Sequence, residues 1–88
     1  MKGQVALVRE QGVAFAVVVV QPTIMSGLKR ERDEAVRAFS AELDVPAVLM
    51  VQNSRGTPTY HGRADLVRFL SNVAVEELPW REFTVRAA

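Results

Sequence analysis

Cysteine is absent from this sequence of 88 residues. Without thiols the chain can form no disulfide, no thiolate zinc site and no iron–sulfur cluster, and it can perform no thiol redox chemistry. A small domain that lacks disulfides must be held together by its hydrophobic core or by a partner subunit. The absence of cysteine fits a reducing compartment, and we expect a cytoplasmic protein.

Long apolar runs and an excess of either charge are missing as well. The longest apolar run, Val13 to Val20, is far shorter than the roughly twenty residues of a membrane-spanning helix. Arg9 and Glu10 interrupt any signal-peptide core, so we expect no membrane association. Eleven basic residues nearly balance ten acidic ones, and a net charge of +1 does not support nonspecific binding to nucleic acid.

What is present is typical of one globular domain over residues 1–88, with 49% hydrophobic and 24% charged residues. Gln4 to Arg9 and Val13 to Gln21 are rich in valine and predict two strands, the second apolar on both faces. Gly12 can supply the positive φ of the hairpin loop between them. The alternative is a helix over residues 5–11 that Gly12 closes, but the β-branched valines favour the hairpin.

A long helix is predicted after Pro22. Thr23 or Ser26 could cap it, and it would run to about Leu43, because apolar residues recur there with helical spacing. We expect Arg32 to lie at the edge of the apolar stripe. The stripe consists of Leu28, Ala35, Val36, Phe39 and Leu43.

A second half of the domain follows the turn Asp44–Pro46. Ala47 to Val51 predicts another central strand, and the composition of residues 53–56 predicts a hairpin turn. Thr57 to Tyr60 predicts an edge strand, because Pro58 cannot donate to a ladder.

The last elements are a helix and a strand. Gly62 is predicted to cap a second helix from Arg63 to about Val73. Residues 76–79 predict a turn, and Trp80 to Val85 a last edge strand. The order predicts an α/β fold (an α+β sandwich) of the type ββαββα(β), with a mixed sheet of four to five strands and two helices. Val13 to Val51 would form a βαβ unit with parallel strands.

Whether the two predicted helices cover both faces of this sheet decides whether the domain needs a partner. If both helices lie on one face, the other face exposes valine, leucine and methionine, which a soluble monomer rarely tolerates. A homodimer through that face or through sheet edges would cover it. The alternative places the helices on opposite faces and completes the monomer. We favour a homodimer or another protein partner.

One candidate site is the turn at residues 23–30. Helix N-termini beyond the carboxyl ends of strands favour anions, and this turn adds hydroxyls, a glycine and two cations. It lacks the glycine and lysine spacing of a phosphate-binding loop, so an ordinary helix start with solvated charges is the alternative. The candidate ligand-binding residues are Thr23, Ser26, Gly27, Lys29 and Arg30.

The second candidate is the region around His61, the single histidine. Asp65 is near enough in sequence to orient its ring, and Tyr60 is a possible proton donor, so His61, Tyr60 and Asp65 are the candidate catalytic residues. No nucleophile accompanies them, one histidine does not make a metal site, and no cofactor is predicted. We expect this region and Ser26 at opposite ends of the sheet.

Two further groups of residues have simpler interpretations. The basic residues of the first helix, Lys29, Arg30, Arg32 and Arg37, alternate with acids, which is typical of a solvated face rather than a phosphate-binding one. Trp80 and Phe83 could anchor a partner, although covering their own core is the simpler role.

Part of the chain resembles the C-terminal half of a thioredoxin-like domain. The matching features are Val45-Pro46, residues 53–56, Gly62 and the run Asp65 to Leu70. The resemblance implies a partly thioredoxin-like fold and a cis peptide bond before Pro46. The family's Cys-x-x-Cys has no counterpart, because Thr23 to Ser26 stands in a comparable place with hydroxyls. The resemblance therefore implies a non-redox relative.

These features favour a non-enzymatic interaction module that self-associates through its sheet. The alternative is a small anion- or phosphate-binding protein, or an enzyme, that uses the turn at 23–30 or the region around His61.

Overall fold

Five strands form one mixed sheet in the computed structural model, which describes residues 2–10 and 12–84. In chain order the elements are β1 (Lys2–Glu10), β2 (Val13–Val19), α1 (Pro22–Met25), α2 (Lys29–Leu43), β3 (Ala47–Gln52), β4 (Pro58–His61), α3 (Ala64–Leu70), a 3-10 turn (Val75–Glu77) and β5 (Trp80–Thr84). The strand order across the sheet is β4-β3-β2-β1-β5. The predicted α/β fold with a mixed sheet is confirmed.

The first two strands form the predicted hairpin. Glu10 pairs with Val13 at its closed end, and Gly12 has the positive φ of 79° that the loop requires. The alternative helix over residues 5–11 is wrong, because those of its residues that the structure describes belong to β1.

Strands β2 and β3 run parallel, with Ala16 opposite Ala47 and Val19 opposite Met50. This pairing confirms the parallel βαβ unit, with α2 as its long connecting helix. β4 lies at one edge of the sheet, beside β3. Because an edge strand has only one neighbour, the missing amide hydrogen of Pro58 interrupts no hydrogen bonds in the centre of the sheet. β5 lies antiparallel to β1 at the other edge, as predicted, and Val85 lies outside the described residues.

The predicted single long helix is two helices in the structure. Pro22 begins the one-turn helix α1, since proline's fixed φ suits a first helical position. The chain then turns at Ser26 and Gly27, and α2 begins only at Lys29. Leu28 holds the N-cap position of α2, so neither Thr23 nor Ser26 caps it, and the Ser26 hydroxyl donates to the Thr23 carbonyl instead.

The two longer helices lie on opposite faces of the sheet. Val18 and Leu49 are buried against α2, whereas Phe15 and Met50, which point the other way from the same two strands, are buried against α3. The exposed face on which the sequence-based dimer hypothesis depended is therefore absent from the described part of the chain. The alternative arrangement, with one helix on each face, is the one that the structure has.

The junction of β4 and α3 differs from the prediction at Gly62. Arg63, not Gly62, holds the N-cap position of α3. Gly62 instead passes close to β3, where a β-carbon would lie 3.2 Å from both the Ala47 oxygen and the Val48 α-carbon. A side chain at residue 62 would therefore push β4 and β3 apart.

The β3–β4 turn has the predicted hairpin geometry. The Asn53 side chain accepts hydrogen bonds from the amides of Arg55 and Thr57, at 2.8 and 3.0 Å. Gly56 has a φ of 82°, a conformation that glycine adopts without strain. These bonds fix the backbone at Arg55.

Helix α2 is tied to the start of β3 by one hydroxyl. Ser40 Oγ donates to the Val36 carbonyl and accepts from the Ala47 amide, at 2.6 and 2.9 Å. The hydroxyl thereby provides the buried amide of Ala47 with an acceptor. Among the residues described, none of the helices combines the length and the apolar character needed to cross a membrane.

Candidate functional site

The turn between α1 and α2 binds its own polar groups. The Glu31 carboxylate accepts the Leu28 amide at 3.0 Å, at the helix start where an anion would bind. The Arg32 guanidinium donates to the carbonyls of Met25 and Gly27, so it closes the turn instead of extending along the helix surface. Since the Glu31 carboxylate already occupies the start of α2, it would repel an anionic ligand there.

The two basic residues of this turn differ in their surroundings. Lys29 Nζ lies 3.0 Å from Asp33 Oδ2 within α2, whereas Arg30 is exposed and has no partner among the described residues. The open hollow beside the turn includes Thr23 and Gly27, but its charged residues are Glu31 and Glu34. Of the residues predicted at 23–30, Thr23 and Gly27 thus line a hollow whose charged groups are carboxylates, Lys29 is paired with Asp33, and Arg30 points to no described partner.

His61 has an acidic partner that the sequence reasoning missed. Its Nε2 lies 2.8 Å from Asp33 Oδ1, and the other oxygen of Asp33 bonds Lys29. The hydrogen bonds with Lys29 and then with His61 lower the pKa of Asp33 below its ordinary value. Asp33 therefore links Lys29, from the first candidate site, to His61, from the second, although the sequence placed these regions at opposite ends of the sheet.

Asp65, the predicted partner of His61, binds Arg63 instead. Two hydrogen bonds join them, from Arg63 Nε and Nη2 to the two carboxylate oxygens, at 2.9 and 2.7 Å. The bond to Arg63 lowers the pKa of Asp65 from 3.8 to about 2. The prediction that Asp65 orients His61 is corrected by this pairing, which fixes the start of α3.

This ion pair predicts a pH-dependent contribution to stability. A carboxylate whose pKa falls on folding stabilises the folded state above its unfolded pKa, and this contribution disappears as the pH falls through the folded value. We expect Asp65→Asn to lower the melting temperature at pH 7 and to have a much smaller effect at about pH 2, where the carboxylate is already half protonated in the folded state. Thermal unfolding of both proteins between pH 7 and 2 measures the difference.

Arg63→Gln is the matched control, because it removes the other half of the pair; it should give a similar pH dependence with a smaller amplitude, since the backbone amides of Asp65 and Leu66 still stabilise the carboxylate. A melting-temperature difference that stays constant down to pH 2 would contradict the assignment.

Tyr60 lies on the opposite side of the sheet from His61, because adjacent strand residues alternate between faces. Its hydroxyl is buried, has no hydrogen-bond partner within the described residues, and burial raises its pKa. Tyr60, His61 and Asp65 therefore do not converge. Within the described ranges no hydroxyl bonds the His61 ring, and no three metal-binding side chains cluster.

Trp80 and Phe83 cover the core. The indole Nε1 of Trp80 donates to the Val75 carbonyl at 2.8 Å, which ties β5 to the 3-10 turn. Phe83 meets Phe39 of α2 edge to face, with ring centroids 6.4 Å apart. These contacts favour the internal role of both residues over that of a partner anchor.

The end of the β1–β2 hairpin extends past the rest of the sheet. The pairing of β3 with β2 starts at Ala16, so Val13 to Phe15 reach beyond it. On the α2 side of this extension a hollow of about 280 Å³ is lined in part by Leu7, Ala14 and Val45. We call these three residues the Leu7 surface. Leu7 is 57% exposed, although its neighbours along that face, Val5 and Ala16, are buried.

Charges of opposite sign flank the Leu7 surface. Arg9 lies opposite Ala14 on β1 and also lines the hollow. Asp44 is exposed and immediately precedes Val45 in the chain, at the left-handed C-cap of α2, where its φ is 59°. An exposed cation and an exposed carboxylate, each adjacent in the chain or sheet to one of these residues, therefore accompany the Leu7 surface.

Comparisons of the chain with protein-family models, with curated proteins and with solved structures give no match. The Val45–Pro46 peptide bond is trans, so the cis bond implied by the thioredoxin-like resemblance is absent. The resemblance itself stays a prediction.

Proposed function

We propose that this chain is a non-enzymatic interaction module that pairs with a second copy of itself through the Leu7 surface. The observation that supports this proposal is the exposure of Leu7, a leucine on a sheet face whose other apolar residues are covered by α2. Complete burial of a fully exposed leucine contributes about 1.5–3 kcal/mol, and Leu7, which is 57% exposed, forgoes roughly half of that energy. A partner that covers it recovers part of that energy.

The charge arrangement favours a second copy as the partner. A two-fold axis through the apolar centre would exchange the two sides of the surface, and a symmetric dimer buries the same patch on both subunits. Arg9 of one copy would then face Asp44 of the other, and the two leucines would meet between them. Because the surface is self-complementary in this sense, no second kind of partner is needed.

The size of the surface limits the strength of the dimer. Stable interfaces bury about 800 Å² on each partner, which exceeds what three apolar residues and their rim supply. Most of the remaining apolar sheet surface cannot add to this area, because the two longer helices bury it. We therefore expect a dissociation constant in about the micromolar range or weaker, and a population of dimer that rises with concentration.

Sedimentation equilibrium over a wide concentration range tests the proposal. We expect the wild-type mass to rise from monomer towards dimer, and Leu7→Ser to remain a monomer throughout. Leu28→Ser is the matched control, because Leu28 is also exposed but lies at the start of α2, away from the Leu7 surface. It should associate like the wild type.

The charges provide a second test. Arg9→Glu should weaken association, whereas Arg37→Glu, which changes an exposed cation of α2, should leave it unchanged. A wild-type protein that stays monomeric at every concentration would overturn the proposal. So would equal weakening by the substitutions at Leu7 and Leu28.

A further inference from the structure

A second hollow lies on the α3 side of the sheet, away from the Leu7 surface. It is bounded by the β3–β4 turn with β4 on one side and by the end of α3 with the 3-10 turn on the other. Its volume is about 470 Å³, within the range of roughly 300–1,000 Å³ that small-molecule sites occupy. We call it the Tyr60 hollow, and its lining residues used below are Arg55, Tyr60, Leu70, Val73, Val75 and Glu76.

The inner wall of the Tyr60 hollow is apolar. Leu70 is buried in the α3-side core, and Val73, Val75 and the Tyr60 ring pack against that core. Such a wall would hold the aliphatic or aromatic side chain of a small ligand.

Tyr60 contributes the one buried side-chain polar atom without a hydrogen-bond partner in the described part of the chain. A buried hydroxyl without a partner costs stability, so natural proteins rarely keep one unless something else satisfies it. Because burial raises the pKa of Tyr60, the group stays protonated and is a donor. A ligand with an acceptor oxygen would provide the missing bond.

Two unpaired charges of opposite sign stand at the rim of the hollow. Arg55 comes from the β3–β4 turn and Glu76 from the 3-10 turn, and both are exposed. Neither forms an ion pair with the other or with any other described residue. The Asn53 side chain hydrogen-bonds the Arg55 amide, and backbone hydrogen bonds close the 3-10 turn that contains Glu76. The backbone positions of both charged residues are therefore fixed.

We propose that the Tyr60 hollow binds a small zwitterion with an apolar side chain, of the chemical class of the apolar α-amino acids. The carboxylate of the ligand bonds Arg55 and the Tyr60 hydroxyl, its ammonium group faces Glu76, and its side chain lies on Leu70 and Val73. This site is independent of the dimer proposed above, because it shares no residue with the Leu7 surface.

Three related ligands test the charge pattern by amide chemical-shift titration of the full chain. The probes are L-leucine, 4-methylpentanoate, which lacks the ammonium group, and L-leucinamide, which lacks the carboxylate. We expect L-leucine to shift amides around residues 55–60 and 70–76 with a dissociation constant of about 1 mM or tighter. Each truncated probe should bind about tenfold more weakly, because it leaves one of the two charges unpaired.

Substitutions at the rim should change this ranking in a specific way. Glu76→Gln should bind L-leucine no more tightly than 4-methylpentanoate. Arg55→Gln should bind L-leucine no more tightly than L-leucinamide. Arg81→Gln, on β5 outside the hollow, is the control and should leave the ranking unchanged.

Tyr60→Phe separates binding from folding. Because the hydroxyl has no hydrogen-bond partner among residues 2–10 and 12–84, its removal should not lower the melting temperature, but it should weaken L-leucine binding severalfold. The proposal is overturned if L-leucine gives no shifts at the hollow up to tens of millimolar. It is also overturned if the variants keep the wild-type ranking of the probes, or if Tyr60→Phe is clearly less stable than the wild type, because the hydroxyl then has a structural partner.

Discussion

Phe15→Ala is expected to lower the free energy of unfolding by about 3–5 kcal/mol. Phe15 is 1% exposed in the central strand β2, where it packs among Val17, Leu66 and Leu70. Its ring also meets Phe69 of α3 edge to face, with centroids 6.2 Å apart. The substitution therefore removes the largest fully buried side chain of the described residues and an aromatic contact between α3 and the sheet.

Urea unfolding followed by circular dichroism measures this loss. A domain of this size has a free energy of unfolding of about 5–15 kcal/mol, so the variant should lose a large part of it. Phe83→Ala is the matched control, since the same truncation on the edge strand β5 removes a ring that is only partly buried. Phe83→Ala should lower the free energy of unfolding by about half as much as Phe15→Ala does. Equal losses for the two variants would show that Phe15 is not central to the core.

Ser40→Ala is expected to cost about 1–3 kcal/mol, although it removes a single oxygen atom. Ser40 Oγ accepts the amide of Ala47, a residue that is 2% exposed at the start of β3. Without the hydroxyl this amide is buried with no acceptor, and an unmade buried bond costs more than an average bond contributes. The amide of Ala47 should also exchange its hydrogen faster than in the wild type.

Two variants separate this effect from a general effect on helices. Ser71→Ala removes a hydroxyl that likewise donates to the carbonyl four residues earlier, but that hydroxyl is exposed and accepts no buried amide. It should change stability by less than about 0.5 kcal/mol. Ser40→Thr keeps the oxygen and should retain most of the stability. If Ser40→Ala were as mild as Ser71→Ala, water would have to reach the Ala47 amide.

The central strands were predictable because runs of consecutive apolar residues indicate a strand that is buried on both faces. Val17, Val18, Val48 and Leu49 are apolar at adjacent positions, which a strand buried on both faces requires, and all four are fully buried. Gly12 and the Asn53 turn were predictable for a local reason, because their backbone conformations favour those residues. Local chemistry therefore determined most of the sheet.

The break between α1 and α2 was harder to predict, since Pro22 can end a strand or begin a helix. The turn is held by Arg32, whose guanidinium binds two backbone carbonyls, and helical periodicity carries no sign of such a contact.

The pairing of His61 with Asp33 and the placement of the helices depend on long-range topology. The two residues are 28 positions apart and meet because β4 brings His61 to the face that α2 covers. The pattern of β4 does not show which of Tyr60 and His61 faces α2, since both are amphipathic side chains. The sequence therefore left both helix placements open, and with them the acidic partner of the histidine.

The pairing of β1 with β5 has a consequence for how the chain reaches this structure. Lys2 lies opposite Thr84, so this edge of the sheet joins the most distant described segments of the chain. The hairpin and the βαβ unit close over much shorter separations, and contacts between distant segments form slowly because a long loop must be ordered first. During synthesis, β1 therefore has to wait for β5, and its outer edge is open to other strands until then. The ribosome must release nearly the whole domain before this vulnerable edge can be covered.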